Sequence, residues 1–278
     1  MLELDKIYNG DCYKKIKEIP DKSIFIASCS FGKDSLAQII LAYLNNEPID
    51  FIIYCEVMFS HQLGISGELP EHRDFIYNVA IQKIEKEFGY KVIVVKSEDD
   101  FLSEFNRVIT RGSRKGQIRA FPIGRKCQIN RDLKVKPIRD FYKSLDTKNI
   151  YQYVGIAIDE KERLEKLHKK KNTISILEKY KYTEDMAYEL CKKYGLLSPI
   201  YEFTKRNGCW FCPNQRICEL VYLYKNHNDL FMRLVELGKT PNKASEKWNR
   251  TDSINDVHRI IKILANQISI FEYLEEQK

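Results

Sequence analysis

The chain has 278 residues, 44% of them hydrophobic and 31% charged. That is enough chain to bury a core without disulfide staples, and the composition excludes wholesale disorder, a collagen-like repeat and a long coiled coil. No apolar run reaches membrane-spanning length, and residues 1–11 lack the basic and apolar regions of a signal peptide, so a soluble, cytoplasmic protein with no membrane partner is expected.

The net charge of +7 is unevenly spread. Over 111–143 eleven Lys/Arg stand against two Asp, and over 161–181 eight stand against three Glu. These stretches carry +9 and +5, leaving −7 for the remainder, so the basic charge is concentrated rather than diffuse. A concentrated basic segment suits a polyanion, either nucleotide phosphate or nucleic acid, although a solvated face is the plainer explanation of any one run. Arg114, Lys115 and Arg119 are the residues expected to contact a polynucleotide.

In chain order, 23–29 is a short apolar run of buried-strand type, followed by a Gly-containing turn. Leu36, Ile39, Ile40, Tyr43 and Leu44 then recur at helical spacing, giving strand, loop, helix. A second strand is expected over 50–55. A helix carrying Phe75, Val79, Ala80, Ile84 and Phe88 should follow, opened by Pro70 and closed at Gly89. Strands over 91–95 and 151–158 come next, the last with Gly155 inside it. Apolar strands alternating with helices predict an α/β fold, a doubly wound parallel sheet covered on both faces. After about residue 180 the pattern turns helical, with Thr183 capping one helix, Gly195 stopping it, and another helix over 254–264. The expected domains are therefore 1–180, α/β and nucleotide-binding, and 181–278, mostly helical, cysteine-bearing and packed on the first.

Ser30-Phe31-Gly32-Lys33-Asp34-Ser35 lies between the first strand and the first helix. A Gly-containing turn at a helix N-terminus leaves backbone N–H groups free to surround an anion, and Ser30, Lys33 and Ser35 add donors, so this is a candidate phosphate or sulfate site. It is too short for a Walker A loop. The segment resembles the PP-loop of the adenine nucleotide α-hydrolase-like superfamily, whose usual form is Ser-Gly-Gly-Lys-Asp-Ser; Phe31 replaces the first Gly. Further segments resemble the phosphoadenosine-phosphosulfate (PAPS) reductase-like branch. They are Glu56 after the second strand, Leu69-Pro70-Glu71-His72, Gly124-Arg125-Lys126-Cys127 with Leu133-Lys134-Val135-Lys136-Pro137-Ile138, and Gly155-Ile156-Ala157-Ile158-Asp159-Glu160-Lys161-Glu162-Arg163, where Ala157 replaces a usual Arg.

Cytoplasmic thiols stay reduced, so eight cysteines point to metal or catalysis wherever spacing is tight. Cys209, Cys212 and Cys218 form Cys-x2-Cys-x5-Cys, and Cys127, in an Arg/Lys-rich setting, is the expected fourth ligand. Four thiolates suit zinc or an iron–sulfur cluster equally. Resemblance to DNA phosphorothioation sulfurtransferases and PP-loop tRNA thiolases implies [4Fe–4S], with Zn²⁺ as the alternative. Cys12, Cys29, Cys55 and Cys191 stand singly and are expected to be buried apolar thiols. Residues 7–12 and 19–23 resemble the opening of amino-DNA methyltransferases, but no Asp/Asn-Pro-Pro-Tyr/Phe segment occurs, and they are expected to form a helix and turn.

The resemblance implies an ATP pyrophosphatase that forms AMP while activating an acceptor for sulfur transfer. Ser30, Phe31, Gly32, Lys33, Asp34, Ser35, Glu56, Arg125 and Gly155 would bind the adenine nucleotide. Lys33, Asp34 and Arg163 would act in catalysis, with Mg²⁺ on Asp34 or a nearby carboxylate. The acceptor could be tRNA or DNA, served by a sulfur donor protein. Sulfonucleotide reduction is the alternative, but nothing after Cys218 is a cysteine, so the family's attacking thiol near the C-terminus is missing. A non-catalytic nucleotide- or nucleic-acid-binding role is the third reading, favoured by Phe31 and Ala157.

Overall fold

A computed structural model describes residues 23–123, 127–145 and 149–275. In chain order the elements are β1 (Ile24–Ser28), α1 (Lys33–Leu44), β2 (Phe51–Cys55), β3 (Met58–Ser60), β4 (Ile65–Ser66), α2 (Pro70–Phe75), α3 (Ile81–Lys83), β5 (Lys91–Val95), α4 (Phe101–Asn106), α5 (Lys136–Ser144), β6 (Ile150–Tyr153), α6 (Lys161–Leu167), β7 (Thr173–Ile174), α7 (Ile176–Lys179), α8 (Glu184–Lys193), α9 (Ile217–Asn226), α10 (Asn228–Gly238) and α11 (Ile254–Glu275). Wider π-helical turns at Ile76–Ala80 and Ile84–Phe88 join α2 and α3 into one run. That run starts at Pro70 and stops where Gly89 turns left-handed at φ 73°, as the sequence predicts.

Two compact units emerge. The first takes the described parts of Met1–Glu56 and Lys136–Tyr201 together with Pro70–Lys96; the second takes Val57–Leu69, Ser97–Val135 and the described part of Glu202–Lys278. This differs from a single cut at residue 180. Helix α8 belongs with the sheet because it packs along α1, while 57–69 and 97–135 join the cysteine-bearing segment.

The first unit is an α/β fold around a five-stranded sheet of order β5-β2-β1-β6-β7, every pairing parallel. Successive strand residues face opposite sides, so Ile52 and Tyr54 enter the core shared with α1 while Phe51 meets Phe141 of α5 edge to face at 5.7 Å. Helices therefore cover both faces, the arrangement a parallel sheet needs. Phe25, Ala27, Leu36, Ile39, Ile40, Ile52 and Tyr54 are buried there. Each such large apolar side chain contributes roughly 1.5–3 kcal/mol. Strand β6 ends at Tyr153, short of the expected 158, so Gly155 lies in the loop beyond it.

The second unit has an aromatic core, with Phe59, Phe101, Phe105, Phe121, Trp210, Phe211 and Trp248 all buried. Strands β3 and β4 pair antiparallel in it, and α9, α10 and α11 pack on one another. Among the described residues no helix is long and apolar enough to cross a membrane.

Candidate functional site

The five parallel strands, numbered in chain order, lie in the sheet as 3-2-1-4-5, so the strand order reverses direction at β1 and β6. In open α/β sheets the crevice at the carboxyl ends of two such strands is where ligands bind. Loop 30–35 follows β1, and Gly155 follows β6.

The loop is held by its own hydrogen bonds. Ser35 Oγ accepts the Ser30 N–H at 3.2 Å and donates to the Gly32 carbonyl at 2.9 Å, and that carbonyl also accepts the Leu36 N–H at 3.0 Å to start α1. Phe31 sits at φ 55°, its N–H directed to Cys29 Sγ at 3.2 Å and its buried ring edge-on to Tyr54 at 5.0 Å. Two residues from the far end of this unit close on Lys33: Tyr201 Oη accepts its N–H at 2.9 Å, and the buried Cys191 thiol donates to its carbonyl at 3.1 Å. Burial pushes both the Tyr201 phenol and the Cys191 thiol up, so both keep their protons. Gly155 touches the loop from β6: a Cβ there would come within 2.6 Å of the Asp34 carbonyl and 2.7 Å of the Ser35 nitrogen.

Lys33 Nζ lies 2.8 Å from Asp34 Oδ1 and 3.2 Å from Glu184 Oε2. Burial works against the ammonium, but its hydrogen bonds and attraction to Asp34 and Glu184 outweigh it and leave the Lys33 pKa above the usual value. Asp34 is shifted up: burial leads, Lys33 offsets only part of it, and Glu184 and Glu160 add repulsion. Arg163 is exposed and pairs with Glu160, whose other carboxylate oxygen accepts the Ala157 N–H at 3.1 Å and whose charge acts on Asp34. Glu56 is fully buried, with Arg73 Nε at 2.8 Å, Lys96 Nζ at 2.7 Å and the Tyr77 hydroxyl at 2.7 Å, a junction between β2, α2 and the end of β5. Arg125 lies outside the described residues, as do Gly124, Lys126, Cys12 and the opening segment 1–22. Cys29, Cys55 and Cys191 are buried, as expected.

The cysteine centre belongs to the second unit. Its Cys-x2-Cys turn closes by a Cys212 N–H to Cys209 carbonyl bond of 3.0 Å. Between the two cysteines, Trp210 and Phe211 plunge into the aromatic core. Trp210 donates Nε1–H to the Ser66 carbonyl at 2.8 Å and its N–H to the Gly67 carbonyl at 2.9 Å, while Phe211 stacks on Phe101 at 4.1 Å. Gln215 Nε2 braces the turn from outside, bonding the Cys209 carbonyl at 3.0 Å and also that of Trp210. Burial first, then Glu68, raises the Cys209 pKa, with Lys134 opposing and the nearby Cys212 and Cys127 adding to the rise. Cys127 is exposed, its sulfur 3.5 Å from the Asn130 N–H. Cys127 and Cys212 are thus near enough to act on Cys209 by their charge, while Cys218 is exposed on the first turn of α9. Among the described residues no three His, Cys, Asp or Glu side chains stand close enough together to hold one metal ion. The donors fit a soft metal in kind and neighbourhood, as three thiols with a lysine beside them, though not at ligand spacing.

Sequence reasoning missed Tyr201, Glu184 and Cys191, each of which reaches Lys33 from more than 150 residues away by chain. The capping residue Thr183, whose side chain accepts the Met186 N–H, offered one signal, since it fixes where α8 begins and so where Glu184 stands.

No protein-family profile matches the chain, and no curated protein matches it. Among solved structures it is similar to the U34-tRNA thiolase NcsA from Methanococcus maripaludis with its [4Fe–4S] cluster, at 16% identity and a TM-score of 0.41, over 93% of this chain and 79% of that one.

Proposed function

We propose that the protein is a PP-loop adenine-nucleotide enzyme that releases pyrophosphate from ATP, adenylates an acceptor oxygen and lets sulfur displace it. The observation that carries this reading is the loop 30–35 at the reversal point of the sheet, pressed by the bare Gly155 backbone, where a side chain would fill the crevice. The acceptor oxygen attacks the α-phosphorus and pyrophosphate leaves; hydrosulfide then attacks the activated carbon, and AMP departs with the acceptor's oxygen. Lys33 supplies positive charge to the departing pyrophosphate, a role suited to an ammonium held firmly charged by two carboxylates. Asp34 is the carboxylate a Mg²⁺ ion shared with the phosphates would use. Loss of its proton to such an ion is eased by a pKa that Lys33 partly restrains. Tyr201 and Cys191 keep the start of α1 in place while charge moves.

Cys127, Cys209 and Cys212 would hold a [4Fe–4S] cluster, which when bound supplies a place for the incoming sulfide. The buried Trp210 and Phe211 fix the direction of the two knuckle thiols.

The test is pyrophosphate and AMP release from ATP by anaerobically prepared, metal-replete protein. Lys33→Ala should reduce it by about 10²-fold or more while the fold melts normally. Turnover of an adenylyl sulfate to sulfite without ATP would falsify the reading in favour of sulfonucleotide reduction.

A further inference from the structure

The strongest feature that the loop and cysteines leave unused is a basic hairpin over 107–119 in the second unit. It carries Arg107, Arg111, Arg114, Lys115 and Arg119 and no acidic residue. Its arms pair through an antiparallel Val108 to Ile118 bridge, with Ile109 N–H to Gln117 O at 2.8 Å, Gly116 N–H to Ile109 O at 2.9 Å and Arg119 N–H to Arg107 O at 3.0 Å. A second segment pins it: Ile118 N–H donates to Asn242 O at 3.0 Å, Ala244 N–H to Ile118 O at 2.8 Å and Asn242 Nδ2 to Gly116 O at 2.9 Å.

The five cations divide sharply. Arg107 and Arg119, at the base, both pair with the fully buried Glu104, and Arg107 also reaches Asp99 at 2.8 Å. These two are anchors, which removes Arg119 from the expected ligand contacts. Arg111, Arg114 and Lys115, at the tip, are exposed, and among the described residues none has an ion-pair partner. Gly112 and Gly116 flank the latter pair with φ of 83° and 87° and open space around them. The tip, 110–116, adds the hydroxyls of Thr110 and Ser113 and contains no aromatic ring.

We propose that this hairpin tip is a phosphate-backbone contact for a base-paired nucleic acid, with Arg111, Arg114 and Lys115 each neutralising one phosphate. Cations and hydroxyls without aromatics read phosphate and not unstacked bases, because single-strand binding depends on rings for bases to stack on. A hairpin already fixed by backbone bonds loses little freedom on binding, so its charges are spent on the ligand. The inference deepens the proposed function by naming the class of acceptor. It rests on that reading only for the word acceptor, since binding is measured without ATP.

The test is fluorescence anisotropy of the whole chain with a labelled RNA stem-loop and, separately, a DNA duplex of equal length, over a range of salt. The triple variant R111A/R114A/K115A should bind the preferred duplex on the order of 10²-fold more weakly at 0.1 M salt, and its salt slope should fall by about 2–3. The charge-preserving variant R111K/R114K/K115R should keep most of both. K169A/K170A/K171A, in the other basic run, should keep the slope. The preferred duplex identifies RNA or DNA as the source of the phosphates. An unchanged slope in the triple variant, equal loss in the Lys169 to Lys171 variant, or binding confined to anionic lipid vesicles overturns the proposal. A wild-type chain that activates ATP but binds neither duplex strikes only this inference; one that binds a duplex but does not activate ATP strikes only the proposed function.

Discussion

The loop 30–35 and the Cys209 to Cys212 turn are both tight, both contain a buried aromatic, and are built on opposite plans. Around the loop the functional groups are engaged: Lys33 has two carboxylates, Ser35 two hydrogen bonds, and the Lys33 backbone a phenol and a thiol. Around the turn the backbone and aromatics are engaged, while the thiols of Cys127, Cys209 and Cys212 are only neighbours. The difference suits what each would receive. A phosphate-binding loop acts through backbone groups whose direction must be fixed beforehand, whereas thiolates are drawn to ligand distance by the metal they bind, so that metal binding supplies the last part of the folding.

The largest effect that could break this comparison is on metal content. Cys209→Ser, Cys212→Ser or Cys127→Ser should each abolish bound iron, acid-labile sulfide and the broad visible absorption, while Cys218→Ser should leave them nearly unchanged. Stoichiometric zinc without colour in the wild type would replace the cluster with a structural metal, and equal loss in Cys218→Ser would restore it as a ligand. A smaller effect is expected at the preformed site: Gly155→Ala should destabilise the protein by about 1–3 kcal/mol and weaken nucleotide binding, seen as a lower thermal midpoint that ATP no longer raises. A wild-type melt in that variant would mean the crevice yields easily. The smallest effect concerns two carboxyl groups whose pKa values shift in opposite directions. Burial raises the Asp34 pKa above its unfolded value, so it favours folding below the unfolded pKa and loses that contribution as pH rises through the folded one. Hydrogen bonding to Arg131, aided by Arg119 and Arg107, lowers Asp132, which therefore favours folding above its unfolded pKa and loses that as pH falls through the folded one. At neutral pH Asp34→Asn should stabilise and Asp132→Asn destabilise, each by no more than about 1 kcal/mol, and both differences should vanish in acid denaturation profiles.

Strand, loop and helix around Lys33 were legible because each announces itself within a dozen residues: an apolar run, a glycine turn, a stripe at helical spacing. The Cys-x2-Cys turn was legible for the same reason. What the chain does not announce locally is which distant residues arrive. Nothing in the spacing of Glu184, Cys191 or Tyr201 points to Lys33, since their meeting depends on α8 packing along α1. The interleaved second unit escaped for a related reason: Phe59, Phe101 and Phe211 form one core only after three separate segments converge, and periodicity within any one of them is silent about the others. Glu56 was found by position but is committed to Arg73, Lys96 and Tyr77.

Phe31 carries a consequence in the time domain. A non-glycine residue at φ 55° persists only where its surroundings over-determine it, and here the surroundings are the ring of Tyr54 and the sheet core. The backbone of the loop therefore cannot relax without withdrawing a fully buried ring from the core of the first unit. Amide hydrogens at 31–36 should exchange at the rate of global unfolding, and not at the faster rate of an ordinary surface turn. A site built in this way meets its ligand already set, and its opening is tied to the lifetime of the fold itself.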